Sequence, residues 1–120
     1  MKFPLENLTD TEFEKLVALI CHKVLGTGTV VFSVGKDGGK DARFNGKANN
    51  FPSESKSWEG KIIIQAKHTQ RANASCSDSD FQSILKTSVI PAINKLKEND
   101  ELDYYLLFTN RKQVNWTRNN

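Results

Sequence analysis

Gln65 and Lys67 stand two residues apart in Lys61-Ile62-Ile63-Ile64-Gln65-Ala66-Lys67, where consecutive isoleucines leave no water-facing side if the segment is a strand. Side chains alternate along a strand, so Ile63, Gln65 and Lys67 share one face and Ile62, Ile64 and Ala66 the other. A carbonyl and an ammonium then project together from a buried strand, where an unpartnered amide costs roughly 2–7 kcal/mol in apolar surroundings. A nearby acid would compensate both. Asp41 follows Gly38-Gly39 at the start of the segment expected to neighbour this strand, and an anion or metal between Asp41, Gln65 and Lys67 would let them satisfy one another. The third component is Glu14. With Phe13 at zero and a turn of about 100° per residue, Glu14 falls at about 100° and Glu12 at about −100°, flanking the apolar stripe of a helix. Thr9 and Glu12 form a capping-box pair, which occupies Glu12 and leaves Glu14 as the better candidate. Glu14 shares its flank with Ala18 and Cys21, small enough to let another backbone or a metal cluster approach.

These residues need elements to hold them. Phe13, Leu16, Val17, Ile20 and Val24 recur at helical spacing between the Thr9 cap and Gly26, which predicts a helix over 10–25. Residues 29–34 are β-branched and aromatic and lead into an Asp37-Gly38-Gly39 turn, with a returning strand over 41–45. Residues 46–60, rich in Asn, Ser, Pro and Lys, read as a long loop, and 61–67 as the centre of a sheet. A polar stretch over 68–79 precedes a second helical pattern through Phe81, Ile84, Leu85, Ile90, Ile93 and Leu96. Pro91 interrupts it and predicts a kink or two abutting helices. Residues 103–108 form the last expected strand, before a polar, basic tail in which only Val114 and Trp116 could pack. The order is helix, strand, strand, strand, helix, strand, which suits an α/β fold with a small mixed sheet and helices on both faces.

The 120 residues fit one domain, and a hydrophobic content of 38% argues against disorder. The longest apolar run, Leu16 to Cys21, is far short of the ~18–20 residues a membrane span requires. The opening residues lack a signal-peptide core, so a soluble, cytoplasmic protein is expected. Cys21 and Cys76 show neither CxxC spacing nor a paired His and read as reduced thiols. The net charge of +3 arises in the second half, where nine Lys/Arg face six Asp/Glu, against eight and eight in the first. That balance permits nucleic-acid binding without demanding it.

The sequence Phe13-Glu14-Lys15-Leu16-Val17, then Gly38-Gly39-Lys40-Asp41, then Ile64-Gln65-Ala66-Lys67 resembles the PD-(D/E)xK nuclease superfamily, closest to its Mrr-like restriction endonuclease branch with a QxK motif. The resemblance spans roughly residues 8–108. It implies a restriction-endonuclease-like three-layer αβββαβ core and a metal-dependent endonuclease on double-stranded DNA, in bacterial restriction or antiphage defence. Glu14, Asp41 and Gln65 would ligate Mg²⁺, with Mn²⁺ able to substitute, and Lys67 would hold the water and phosphate. Lys40, Arg71, Arg111 and Lys112 would contact nucleic acid. A homodimer stays open as an arrangement, as does a fused or separate sensor or targeting domain, with this chain as the N-terminal domain of a longer protein. Gln65 departs from the acid of the (D/E)xK form and removes one negative charge.

Each residue also has a plain reading. Lys67 could end a strand and reach solvent, Gln65 could be a polar edge residue, Glu14 a solvated helix charge, and Asp41 a turn residue beside Gly. A silent DNA-binding or regulatory module, or a nuclease on structured RNA, would carry the same residues. His68 points to the face opposite Lys67, where a packed or hydrogen-bonded histidine is expected, and His22 is expected in solvent. Trp58 is expected to cover core, and the 75–80 run to cap the second helix. No segment reads as a base-reading head; residues 46–60, 68–79 and the Arg111-Lys112 tail suit phosphate tracking.

Overall fold

The computed structural model describes residues 4–26, 28, 33–34 and 40–113, with the backbone alone for Ser33, Val34, Lys40 and Asp41. The expected Asp37-Gly38-Gly39 turn, most of the strand expected over 29–34, and Val114 and Trp116 lie outside the described residues.

Helix α1 spans Asp10–Leu25 as the sequence dictates. Glu12 N donates to Thr9 Oγ1 at 3.1 Å and Thr9 N to the Glu12 carboxylate at 2.9 Å, completing the capping box. The backbone bond from Thr9 is the main cause that holds the Glu12 carboxyl below its ordinary range. The buried row is Phe13, Val17, Cys21 and Leu25, whereas Ile20, expected in the core, is 39% exposed. Each four-residue step turns about 40° beyond a full revolution, so the contact line winds toward the flank that carries Glu14. The helix therefore crosses the sheet obliquely, and Cys21 takes the place expected for Ile20.

The sheet has the order β1 (Ser33–Val34), β2 (Lys40–Lys47), β3 (Glu59–Lys67) and β4 (Tyr104–Thr109). β1–β2 and β2–β3 are antiparallel and β3–β4 parallel. The chain is thus α/β with a mixed sheet, and β3, buried from Ile62 through Ala66, lies inside it as its isoleucines require. Ala42, Phe44, Ile62, Ile64 and Ala66 pack with the α1 row into one core cluster. Ile63 on the other sheet face is buried as well, as are Phe81 and Val89 of the crossover that joins β3 to β4.

The loop expected over 46–60 is shorter, because β2 and β3 continue to the pairs Gly46↔Gly60 and Lys47↔Glu59. What remains is tied down. Trp58 stacks on Tyr104 at 4.0 Å and meets Phe51 edge-on at 5.0 Å, covering core as expected. Asn49 N donates to Leu25 O at 3.2 Å, joining the loop to the end of α1.

The crossover is a continuous helical run: α2 (Ser79–Ile84), a π-helical turn (Leu85–Val89) and α3 (Ile90–Glu98). Pro91 has no N–H to offer, and its ring collides with the carbonyl four residues back in a regular helix. The wider turn immediately before it relieves that conflict without a break in the run. Thr87 Oγ1 donates to Ser83 O at 2.8 Å within this stretch.

Candidate active-site cleft

The capping box that starts α1 and the exit of β3 converge on a cleft of about 380 Å³. Asp10, Phe13 and Glu14 line it from α1, Lys67 and His68 from the end of β3, Phe81 and Ile84 from α2, and Arg111 from beyond β4. Glu14 and Lys67, far apart in sequence, are thus brought together, both half-buried. Among the described side chains no carboxylate lies within ion-pair distance of the Lys67 ammonium.

Gln65 is only 7% exposed and does not line the cleft. Its carbonyl oxygen accepts a hydrogen bond from the Tyr105 hydroxyl, a partner that the sequence does not reveal. Tyr105 pairs with Ile63 in the parallel register, which sets it diagonally from Gln65. Asp41 is the direct cross-strand partner of Gln65, and Lys40 that of Ala66. The neighbouring strand expected for Asp41 is therefore the one observed.

His68 is packed and hydrogen-bonded, as its position in the strand alternation implies. Its side chain is 2% exposed and lies 4.9 Å from the Phe13 ring. Nδ1 stands 2.8 Å from Asp10 Oδ1 and Nε2 2.8 Å from Leu5 O. Both nitrogens are occupied, so His68 fastens the chain before α1 to the sheet and is no ready base. His22 is exposed, as expected.

The segment after β3 is a strap held along the exit of β4. Asn110 exchanges two bonds with Thr69, Oδ1 accepting from N at 3.0 Å and Nδ2 donating to O at 2.8 Å. Lys112 N donates to Ala74 O at 2.9 Å and Cys76 N to Lys112 O at 3.0 Å. Asp78 occupies the N-cap position of α2 but gives the helix no side-chain cap, contrary to expectation. Its carboxylate is taken by Ser75 N at 2.9 Å and by Arg71 and Arg111. Arg111, 6% exposed, also grips Asp80 through two bonds of 3.2 and 2.9 Å and lies 4.9 Å over the Phe81 ring. That grip is the first cause that holds the Asp80 carboxyl below its ordinary range.

Of the residues expected to meet nucleic acid, Arg111 borders the cleft with its charge matched by two carboxylates. Arg71 is more than half exposed and pairs with Asp78, while exposed Lys112 donates to Asn73 Oδ1 at 3.0 Å. Arg71 and Lys112 line a second opening of about 500 Å³ with Glu6 and Asn73.

Glu14 and the Gln65 carbonyl, which keeps a lone pair beyond the one Tyr105 uses, are oxygen donors of the type a hard cation takes, while of Asp41 only the backbone is described. Among the described residues no group of three His, Cys, Asp or Glu side chains forms a metal centre. Such an ion would draw on one or two carboxylates and on water or substrate oxygens. No family model, curated protein or solved structure matches this chain. Among the described residues no helix is long and apolar enough to cross a membrane.

Proposed function

We propose that the chain is a metal-dependent endonuclease of the PD-(D/E)xK type, acting on double-stranded DNA with a restriction-endonuclease-like three-layer core. The observation that carries this reading is the meeting of Glu14 and Lys67 in one cleft, with Asp41 paired to Gln65 at the adjoining register position. The αβββαβ order supports the fold assignment. Glu14, Asp41 and Gln65 would hold Mg²⁺, or Mn²⁺ in its place; when bound, the ion lowers the pKa of water and offsets charge on the phosphate. Lys67 directs its ammonium at the scissile phosphate and orients the attacking water. Lys40, Arg71 and Lys112 supply sequence-independent backbone contacts, and Arg111 stiffens the wall between them. Two free thiols, Cys21 and Cys76, accord with a reducing, cytoplasmic setting. Restriction or antiphage defence is the biological setting this chemistry fits, and targeting by a further domain or partner fits the lack of a base-reading element.

A silent DNA-binding module is the second reading, and the observation behind it is the neutral Gln65 whose carbonyl is already hydrogen-bonded. Plasmid nicking by purified protein in Mg²⁺, with EDTA and Lys67→Ala as controls, separates the two. Metal-dependent nicking is expected, lost in Lys67→Ala and Asp41→Ala while both variants still unfold cooperatively. DNA binding without nicking at any protein concentration favours the module, and cleavage of tRNA in preference to plasmid moves the substrate to RNA.

A further inference from the structure

Gln65 is a buried polar residue, 7% exposed, in the middle of the sheet. The two ends of its amide are nearly the same size and opposite in polarity. A glutamine can serve a cation only with its oxygen toward the ion, and a half-turn of the amide would present two N–H donors instead. Something must therefore fix which end is which, and the only side-chain partner found for it among the described residues is Tyr105. The parallel register sets Tyr105 two pairs back from Gln65, opposite Ile63 and on the same face, within reach across the diagonal. The phenol donates to the Gln65 oxygen, and that bond forms in a buried place where electrostatic interactions are strengthened.

We infer that Tyr105 is a positioning residue of the site: its hydroxyl fixes the Gln65 amide so that Gln65 serves as an oxygen donor. This rests on the metal-dependent reading above. Partners that orient metal ligands from behind are commonly worth about 10–100-fold in metal affinity or activity. Substitution of Gln65 by Glu makes the two ends of the side chain chemically equivalent, so nothing remains for Tyr105 to choose. The contribution of the hydroxyl should then disappear, whereas a purely structural role would persist.

The test is a double-mutant cycle on the 120-residue chain with Tyr105→Phe, Gln65→Glu and the two combined. Mg²⁺ binding is measured by calorimetry in the absence of DNA, beside nicking and the urea midpoint. Tyr105→Phe is expected to weaken Mg²⁺ binding about tenfold in the Gln65 background. In the Gln65→Glu background the same change should cost about twofold or less, since the orienting advantage is gone. Equal losses in both backgrounds, no loss in either, or a Tyr105→Phe chain that no longer folds overturns the positioning role alone. Absence of Mg²⁺ binding by the unaltered chain and by Gln65→Glu overturns the metal-dependent reading, and this inference with it.

Discussion

Cys21 lies in the α1 row with no solvent exposure, packed among Val17, Leu25 and the sheet residues. Burial pushes its thiol up to about 11 from an ordinary value near 9. Between those values the unfolded chain releases the proton and the folded chain retains it, so the unfolded state gains stability as pH rises. A difference of two pH units amounts to about 3 kcal/mol, fully present below pH 9 and lost by about pH 11. Cys21→Ala removes the titration and leaves a small cavity, which costs on the order of 1–2 kcal/mol at every pH. The native chain should therefore be the more stable at pH 8 and the alanine variant at pH 11. Urea unfolding followed by tryptophan fluorescence at several pH values reads this directly. Tyrosines and lysines that titrate in the same window are common to both proteins and cancel in the difference. Parallel stability curves from pH 8 to 11 would refute the reasoning, since they would mean that Cys21 is not held neutral by its surroundings. A thiol reagent offers a second check: Cys76, partly exposed, should react in the native state and Cys21 only on unfolding.

Three further substitutions test the packing and the ion pairs of the fold. Gly60→Ala should destabilise by about 2–4 kcal/mol in urea unfolding, because φ is +139° and the added Cβ would lie 2.2 Å from Asp103 Oδ2. Gly28→Ala, whose nearest contact would be 3.5 Å, should be far milder; equal losses would discredit the steric account. Arg111→Gln should raise the Asp80 carboxyl toward its ordinary range, as followed by carboxyl carbon NMR. Since the native carboxyl is depressed, its stabilising contribution is present above the unfolded pKa and lost as pH falls through the folded one; the variant should lose less on acidification. An unmoved Asp80 titration would show that Arg111 is not its governing partner.

Elements whose signals are local were legible in the sequence. Thr9 and Glu12 fix the start of α1, Gly26 its end, and the isoleucines of β3 the middle of the sheet, because capping and burial on two faces leave marks within a few residues. The candidate residues Glu14 and Lys67 could be placed on a helix flank and a strand face for the same reason. Tyr105 could not be found this way, since nothing in Tyr104-Tyr105-Leu106 says that it lies diagonal to Gln65; only the register does. Asp78 misleads for a related reason. Its type and position suit a cap, but Arg71 and Arg111, brought in by the strap and by the exit of β4, compete for the carboxylate and take it. The winding of the buried row of α1 likewise depends on the crossing angle with the sheet, which periodicity alone does not contain.

The two ends of the sheet are built differently. At one end β3 and β4, being parallel, both leave the sheet, with Lys67 opposite Thr109, while antiparallel β2 enters there at Lys40 and Asp41. Helix α1 begins at the same end, since Asp10 and Phe13 meet His68. Glu14, Lys67 and Arg111, from three separate segments, therefore line one cleft, with the Asp41 backbone at the adjoining register position. At the other end β3 enters through Gly60, which makes room for the Asp103 carboxylate that binds Lys61 N at 2.8 Å, and the Trp58–Tyr104 stack closes the core. The parallel pairing of β3 with β4 brings both exits to one side, and the crossover between them supplies part of the cleft wall through Phe81 and Ile84 of α2.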